Sequence, residues 1–265
     1  MDNYKTEKKL GQGAFGEVFL VSDLRNNKFY AMKMFTLPSK YYRNEIEMLE
    51  HMKEYCSMDK HLSCLHEWFR TNTSLVIVFD YIAGYDLVEY IKLDEFKNMN
   101  DEQLNEFALR LLNQILSTLS LMNEYDMVHR DVKPGNIIYN PVTGIFTLID
   151  YGLSCKRACS GWSGTPNYLP EKYYELVKTS QTPIQRFEAY QKIDVYALGV
   201  AIFYITNGYT PFAPRPRGSV PPLDYENRRA WKSSVDPGLI EMVDIMLTNE
   251  YTAEKIKDMV SEREY

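Results

Sequence analysis

The run VHRDVKPGN, residues 128–136, holds Asp131, Lys133 and Asn136 inside an otherwise apolar frame. Pro134 and Gly135 make a compact turn there, which fixes the offsets between the three polar side chains. The next residues, IIYNPVTGIFTLI, read as two short strands around an Asn-Pro and Gly turn. Such a hairpin returns the chain so that Asp150 ends beside Asn136. A carboxylate and an amide carbonyl are the oxygen ligands that magnesium accepts, together with water and phosphate. Asp131 is then left facing whatever attacks a phosphate, and Lys133 neutralises charge beside it. Phosphoryl transfer asks for positioning and charge neutralisation rather than covalent chemistry. The bland reading makes all four polar residues incidental structural hydrogen-bonders in apolar surroundings, which asks for a coincidence.

Other residues must bring the phosphate to this set. LGQGAFGEVFLVS contains Gly11, Gly13 and Gly16 with the spacing of a dinucleotide fingerprint. The residues after these glycines are apolar and β-branched, then come Asn26-Asn27 and a second strand, FYAMKMF. The glycines therefore read as the bend of a β-hairpin whose backbone can approach phosphate; a hairpin with no ligand is the other reading. Lys33 interrupts the second strand. In YYRNEIEMLEHM, Tyr42, Glu45, Ile46, Leu49 and Met52 recur at helical spacing, which puts Glu45 on the inward stripe. A carboxylate there needs a partner, for which Lys33 is available, or else an edge position that reaches solvent. From Asp101 to Met122 the apolar positions mark a long helix with a wide buried face, which Asp101 helps to start.

The bulk properties frame this site. The chain has 265 residues, 45% hydrophobic and 25% charged, enough for one large domain or two lobes folded as a unit. Its formal charge of -6 gives no support to nucleic-acid binding. No apolar leader opens MDNYKTEKKL and no run is long enough to span a bilayer, so no membrane association and an intracellular setting, cytoplasm or nucleus, are expected. Cys56, Cys64, Cys155 and Cys159 form no CxxC pair, and a disulfide framework is not expected at this size. Cys56, His61, Cys64 and His66 lie close together, but their spacing matches no common zinc site, and buried thiols with surface histidines are the better account.

The ordered set GQGAFGEV, YAMK, Glu45, HRDVKPGN, DYG, GTPNYLPE and IDVYALG resembles the eukaryotic-type protein kinases from about Leu10 to about Val260. Each motif is moderately specific, and their joint order is highly so. The resemblance implies an α+β, bilobal fold within a single domain, 1–265. A small β-rich N-lobe with one long helix covers about 1–80, a hinge about 80–85, and a larger, mainly helical C-lobe about 86–265. It implies ATP and Mg2+ as cofactors and a protein Ser/Thr hydroxyl as acceptor. Lys33 would hold the ATP phosphates and pair with Glu45, Asp131 would accept the hydroxyl proton, Lys133 would steady the γ-phosphate, and Asn136 and Asp150 would bind magnesium. Val18, Ala31 and Ile138 would sandwich adenine, Phe79 would be the gatekeeper, Asp80 to Ile82 would offer backbone bonds, and Asp86 would contact ribose. Leu49, Leu65, His129 and Tyr151 resemble the stack that links the lobes, and Asp194 would brace the catalytic loop. Lys133 and Thr165 resemble the serine/threonine-specific members.

The sequence departs from the family pattern in places. Tyr151 replaces a phenylalanine, PNYLPE is one residue short, and Gly135 stands where many basic-directed kinases have an acid. Glu171 lacks its usual arginine near the last helices, and a buried acid without a cation would be costly. That region keeps a second reading open, a pseudokinase scaffold that binds nucleotide or a partner without turnover. The stretch 150–171 resembles an activation segment. Arg130 marks kinases switched by phosphate on this loop, and Ser160 and Ser163, with Lys156 and Arg157 near, are the expected regulatory acceptors, against constitutive activity from a short loop. The Pro/Arg-rich segment 213–232 reads as an irregular loop or a docking site.

Overall fold

In a computed structural model of the chain, residues 3–12, 16–37, 42–53, 55–56, 61–157, 159, 161, 163–178 and 182–262 are described. The first part is an antiparallel sheet in the order β1-β2-β3-β5-β4. Its strands are β1 (Tyr4–Gln12), β2 (Glu17–Asp23), β3 (Phe29–Thr36), β4 (Leu65–Arg70) and β5 (Ser74–Asp80). The continuous apolar run of β5 follows from burial on both faces. Val76 and Val78 pack with Val21, Tyr30 and Met32 on one face. Leu75 and Ile77 join Phe35 and helix α1 (Tyr42–Met52) on the other. Helix α1 buries Glu45, Met48, Leu49 and Met52, the inward stripe that the periodicity predicts.

Past the linker at 81–84, a small sheet in the order β6-β8-β9 begins the second part. It comprises β6 (Tyr85–Asp86), β8 (Ile137–Asn140) and β9 (Ile145–Leu148), with β7 (Met127–Val128) lying between β6 and β8 in the chain. The rest is mainly helical: α2 (Leu87–Tyr90), α3 (Asp94–Lys97), α4 (Asp101–Glu124), α5 (Glu171–Lys178), α6 (Pro183–Asn207), α7 (Pro237–Met246) and α8 (Ala253–Ser261). The fold is thus α+β, a β-sheet lobe above a helical one. The start of α4 differs from expectation by one residue: Asn100, not Asp101, is the cap. Its side chain accepts from the Gln103 N–H at 2.8 Å, and Gln103 returns a bond to the Asn100 N–H at 2.9 Å.

Helix α6 is the central post. Pro183 at its first turn and a capping box between Thr182 and Gln185 start it, and Gly208 in a left-handed conformation (φ 81°) ends it. Nearly every residue from Ile193 to Asn207 is buried, so it can serve as a rigid mount for the loops above. Between α6 and α7 the chain makes no helix. Strands β11 (Ala213–Pro214) and β12 (Leu223–Asp224) pair there as a short hairpin, so segment 213–232 is more ordered than an irregular loop.

Candidate active site

The catalytic-loop candidates are fixed from below by one buried carboxylate. Asp194, on α6 and 1% exposed, accepts the backbone N–H of His129 at 2.7 Å and of Arg130 at 2.8 Å. Burial, opposed by those two bonds, pushes its pKa up to about 7. Arg130 takes a left-handed conformation (φ 71°), a strain that the double anchor explains. His129 is fully buried, which lowers its pKa and keeps the ring neutral. Its Nδ1 accepts the Asp131 N–H at 3.2 Å, so the proton sits on Nε2, which donates to the Ile149 carbonyl at 3.1 Å.

Asp131 is surrounded by donors. Thr165 Oγ1 donates to Oδ1 at 2.7 Å, while Lys133 Nζ at 2.7 Å and Asn136 Nδ2 at 3.0 Å donate to Oδ2. Lys133 also reaches Thr165 Oγ1 at 2.9 Å. The second amide hydrogen of Asn136 goes to the Asp131 carbonyl at 2.8 Å. Both hydrogens are therefore spent, and the amide oxygen is left as an acceptor for a cation. Sequence patterns do not show Thr165 as a direct partner of Asp131, because 34 residues separate them.

Across the cleft, Lys33 Nζ lies 2.8 Å from both oxygens of Glu45 and 3.0 Å from Asp150 Oδ1. Burial opposes the charge on Lys33, but the two carboxylates outweigh it and hold its pKa above the ordinary value. Burial raises the Glu45 carboxyl against the pull of Lys33. At Asp150 burial also opposes ionisation, yet Lys33 prevails and the carboxyl sits below its usual range. Glu45 thus takes the inward position and has a cation. Asp150 is left-handed (φ 66°) and keeps 39% of its side chain exposed, so it can serve a ligand as well as Lys33. An ionised carboxylate and an amide oxygen fit magnesium that is completed by phosphate and water. Among the described residues no group of three or more His, Cys, Asp or Glu could hold a metal without such help.

A cleft of about 480 Å3 opens between the lobes. It brings together Gly11, Val18, Ala31, Lys33, Glu45, Phe79, Asp80, Ile82, Asp86, Asn136, Ile138 and Asp150. Tyr81, within the expected run Asp80 to Ile82, lines it too, and so do Leu10 and Ile149 beyond the expected set; these two are the apolar neighbours of motif residues, a signal that the sequence carries. Gly16 is outside the lining, but a Cβ there would lie 2.3 Å from the Met34 carbonyl, so only glycine fits. Gly13 is outside the described residues. Asp86 uses one oxygen to cap α2, accepting from the Glu89 N–H at 2.9 Å. Leu49, Leu65 and Tyr151 share one buried cluster, and the Tyr151 ring lies 5.6 Å from that of His129. The added Tyr151 hydroxyl is accommodated, donating to the Leu148 carbonyl at 2.8 Å.

The activation segment corrects several expectations. Glu171 is exposed, so it needs no buried cation and its missing arginine leaves no uncompensated charge. Arg157 pairs with Asp126 at 2.6 Å rather than joining Arg130. Arg130 stacks on the Tyr190 ring at 4.4 Å and donates to the Gly161 carbonyl at 3.0 Å. Ser163 has its Oγ enclosed, while its N–H and carbonyl are both bonded to Tyr173. A kinase could reach that hydroxyl only if the segment opened; Ser160 lies outside the described residues. The cysteines are paired, Cys56 with Cys64 and Cys155 with Cys159, against the expectation of free thiols. The partners are eight and four residues apart, spacings that carry no signature in the sequence.

A two-lobed cleft, a lysine–glutamate pair and an aspartate loop braced from α6 are the arrangement of a kinase domain. The chain belongs to the protein kinase domain family, which it matches over residues 4–255. It is 25% identical over 256 residues to cAMP-dependent protein kinase catalytic subunit 3 of Drosophila melanogaster, covering 95% of this chain and 41% of that protein. It is 33% identical over 221 residues to the putative sperm motility kinase W of Mus musculus (79% and 39%). Serine/threonine-protein kinase Genghis Khan of Drosophila melanogaster is 28% identical over 228 residues (80% and 13%). The chain therefore spans about two fifths or less of the length of these relatives.

Proposed function

We propose that the chain is an active serine/threonine protein kinase that uses ATP and Mg2+. The observation that carries this reading is Asp131, oriented by Thr165, Lys133 and Asn136 at hydrogen-bonding distance. The substrate hydroxyl oxygen attacks the γ-phosphorus of ATP, the bond to the β-phosphate oxygen breaks, ADP leaves, and the hydroxyl proton passes to Asp131. Lys33 binds the α- and β-phosphates, Lys133 offsets charge on the group in transit, and Thr165 holds Asp131 in line. Asn136 and Asp150 would hold magnesium, which would neutralise phosphate charge there. Val18, Ala31 and Ile138 take adenine, with Asp80 to Ile82 at its edge. The scaffold reading drew on Glu171, whose exposure removes its motive. Asp131→Asn is expected to lower phosphate transfer from ATP to a generic protein substrate by roughly 10²- to 10⁴-fold. Transfer at the parent rate would refute the role of Asp131.

We also infer that residues 213–232 dock an acidic segment of the protein substrate. Arg215, Arg217, Arg228, Arg229 and Lys232 outnumber Asp224 and Glu226 there, in a chain of net charge -6. The hairpin adjoins the end of the stretch 150–171, because the Tyr225 hydroxyl donates to the Leu169 carbonyl. Arg217→Ala is expected to raise KM for an acidic protein substrate several-fold and to leave KM for a short neutral peptide unchanged. Equal effects on both would sink the docking role.

A further inference from the structure

The disulfide Cys155–Cys159 lies inside the activation segment, where nothing in the catalytic reading uses it. Cys155 is 8% exposed and Cys159 fully buried, in a small core with Val128, Leu169, Tyr173 and Phe187. That core is separate from the main hydrophobic cluster, and Cys155, Cys159 and Leu169 bring the segment into it. Cys155 is also the first residue of β10 (Cys155–Lys156), paired with Val128 on β7, three residues before Asp131. Cys159 is the far end, and its carbonyl accepts from Arg186 Nε of α6 at 3.2 Å. Beyond it, the Gly161 carbonyl accepts from Arg130 Nη2 at 3.0 Å and from the Tyr190 hydroxyl at 3.1 Å. The sulfur bridge thus joins a strand fixed to the catalytic loop to carbonyls fixed on α6. Arg130, the side chain that a loop phosphate would engage, is already held by a carbonyl and an aromatic ring.

We propose that Cys155–Cys159 is a redox-active staple that holds the activation segment in its working path, so that the oxidised kinase is active without phosphate on the segment. The proposal rests on the reading of this chain as an active kinase. Reduction by a dithiol releases the staple. A thiolate of the reductant attacks Sγ of Cys155, the more exposed of the two residues, and the S–S bond breaks with Cys159 leaving as a thiolate that takes up a proton. The second thiol of the reductant then attacks the mixed disulfide and frees Cys155 as a thiol, leaving the reductant as a cyclic disulfide. The protein gains two electrons and two protons. Without the bridge, Cys159 and Gly161 lose their fixed tie to β10, and their carbonyls facing Arg186 and Arg130 are no longer held in place.

The test uses the full chain, shown by intact mass to carry no phosphate. Alkylation before reduction is expected to leave Cys155 and Cys159 unlabelled; labelling of both would overturn the proposal at once. Dithiothreitol treatment is expected to lower kcat roughly tenfold, with recovery on reoxidation by diamide. The pair Cys155→Ser with Cys159→Ser is expected at the reduced level and indifferent to dithiothreitol. Cys56→Ser with Cys64→Ser should keep the full response. An equal kcat in the two redox states would overturn the proposal. Should neither state transfer phosphate, the kinase reading fails, and hydrogen exchange still decides the staple. Amides of 154–170 are expected to exchange faster after reduction, and unchanged exchange would refute it.

Discussion

Asp194 shows how one side chain governs the site without touching substrate. Its two oxygens hold the N–H groups of His129 and Arg130, which sets the entry to Asp131. The position was legible from the sequence through IDVYALG, but its chemistry was not, since burial has no marker in a string of residues. Its folded pKa is raised to about 7 from the ordinary 3.8. A raised value means that the folded state holds its proton longer than the unfolded chain. The stabilisation from this group is therefore complete below the unfolded value and is lost as pH rises through the folded value. Between pH 6 and pH 8 the loss should be about 1 kcal/mol. Asp194→Asn cannot ionise and should lack this component, so urea unfolding at the two pH values should give a smaller drop in the variant. Equal drops would mean that Asp194 is ionised in the fold throughout this range.

Helix α1 carries two adjacent polar residues with separate tasks. Glu45 points at Lys33, whereas Asn44 donates to the Gly152 carbonyl at 3.1 Å and the Ser154 carbonyl at 2.7 Å. The helix therefore sets the position of Lys33 and of the turn after Asp150 together. The inward stripe and Glu45 were readable because helical periodicity is a local signal. Asn44 was not, because its partners are more than a hundred residues away. The same holds for Tyr190, which meets Arg130 from 60 residues on. The hairpin between α6 and α7 was hidden for another reason: two-residue strands are too short to show alternation. Asn44→Ala is expected to lower unfolding free energy by only about 1–2 kcal/mol, while kcat falls roughly fivefold or more. A parallel stability measurement and steady-state assay separate the two effects. An unchanged kcat would mean that the Lys33–Glu45 pair alone sets the helix.

At the scale of the molecule, the cleft walls come from both lobes. Val18 and Ala31 belong to the five-stranded sheet, and Asn136 and Ile138 to the turn and strand below it. The ordered motifs made this arrangement legible because GQGAFGEV, YAMK, Glu45, HRDVKPGN and DYG all contribute residues to the cleft wall. A ligand that bridges the lobes should stabilise them as one unit, since it binds only the folded form. On the proposed reading adenosine would engage the apolar sandwich alone, ADP would add Lys33, and ADP with Mg2+ would add Asn136 and Asp150. Supplied at one common concentration, the three should raise the unfolding midpoint in that order; a ligand at a hundred times its own dissociation constant gains about 2.7 kcal/mol, the same for each. At one fixed concentration the gains differ as the affinities do. Asp150→Asn removes a charged oxygen and weakens the partner set of Lys33, but leaves Val18, Ala31 and Ile138 intact. The variant should keep the adenosine increment and lose the increment between ADP and ADP with Mg2+. If that last increment survives in Asp150→Asn, the metal is held by other groups and the magnesium assignment falls, while the adenine cleft stands.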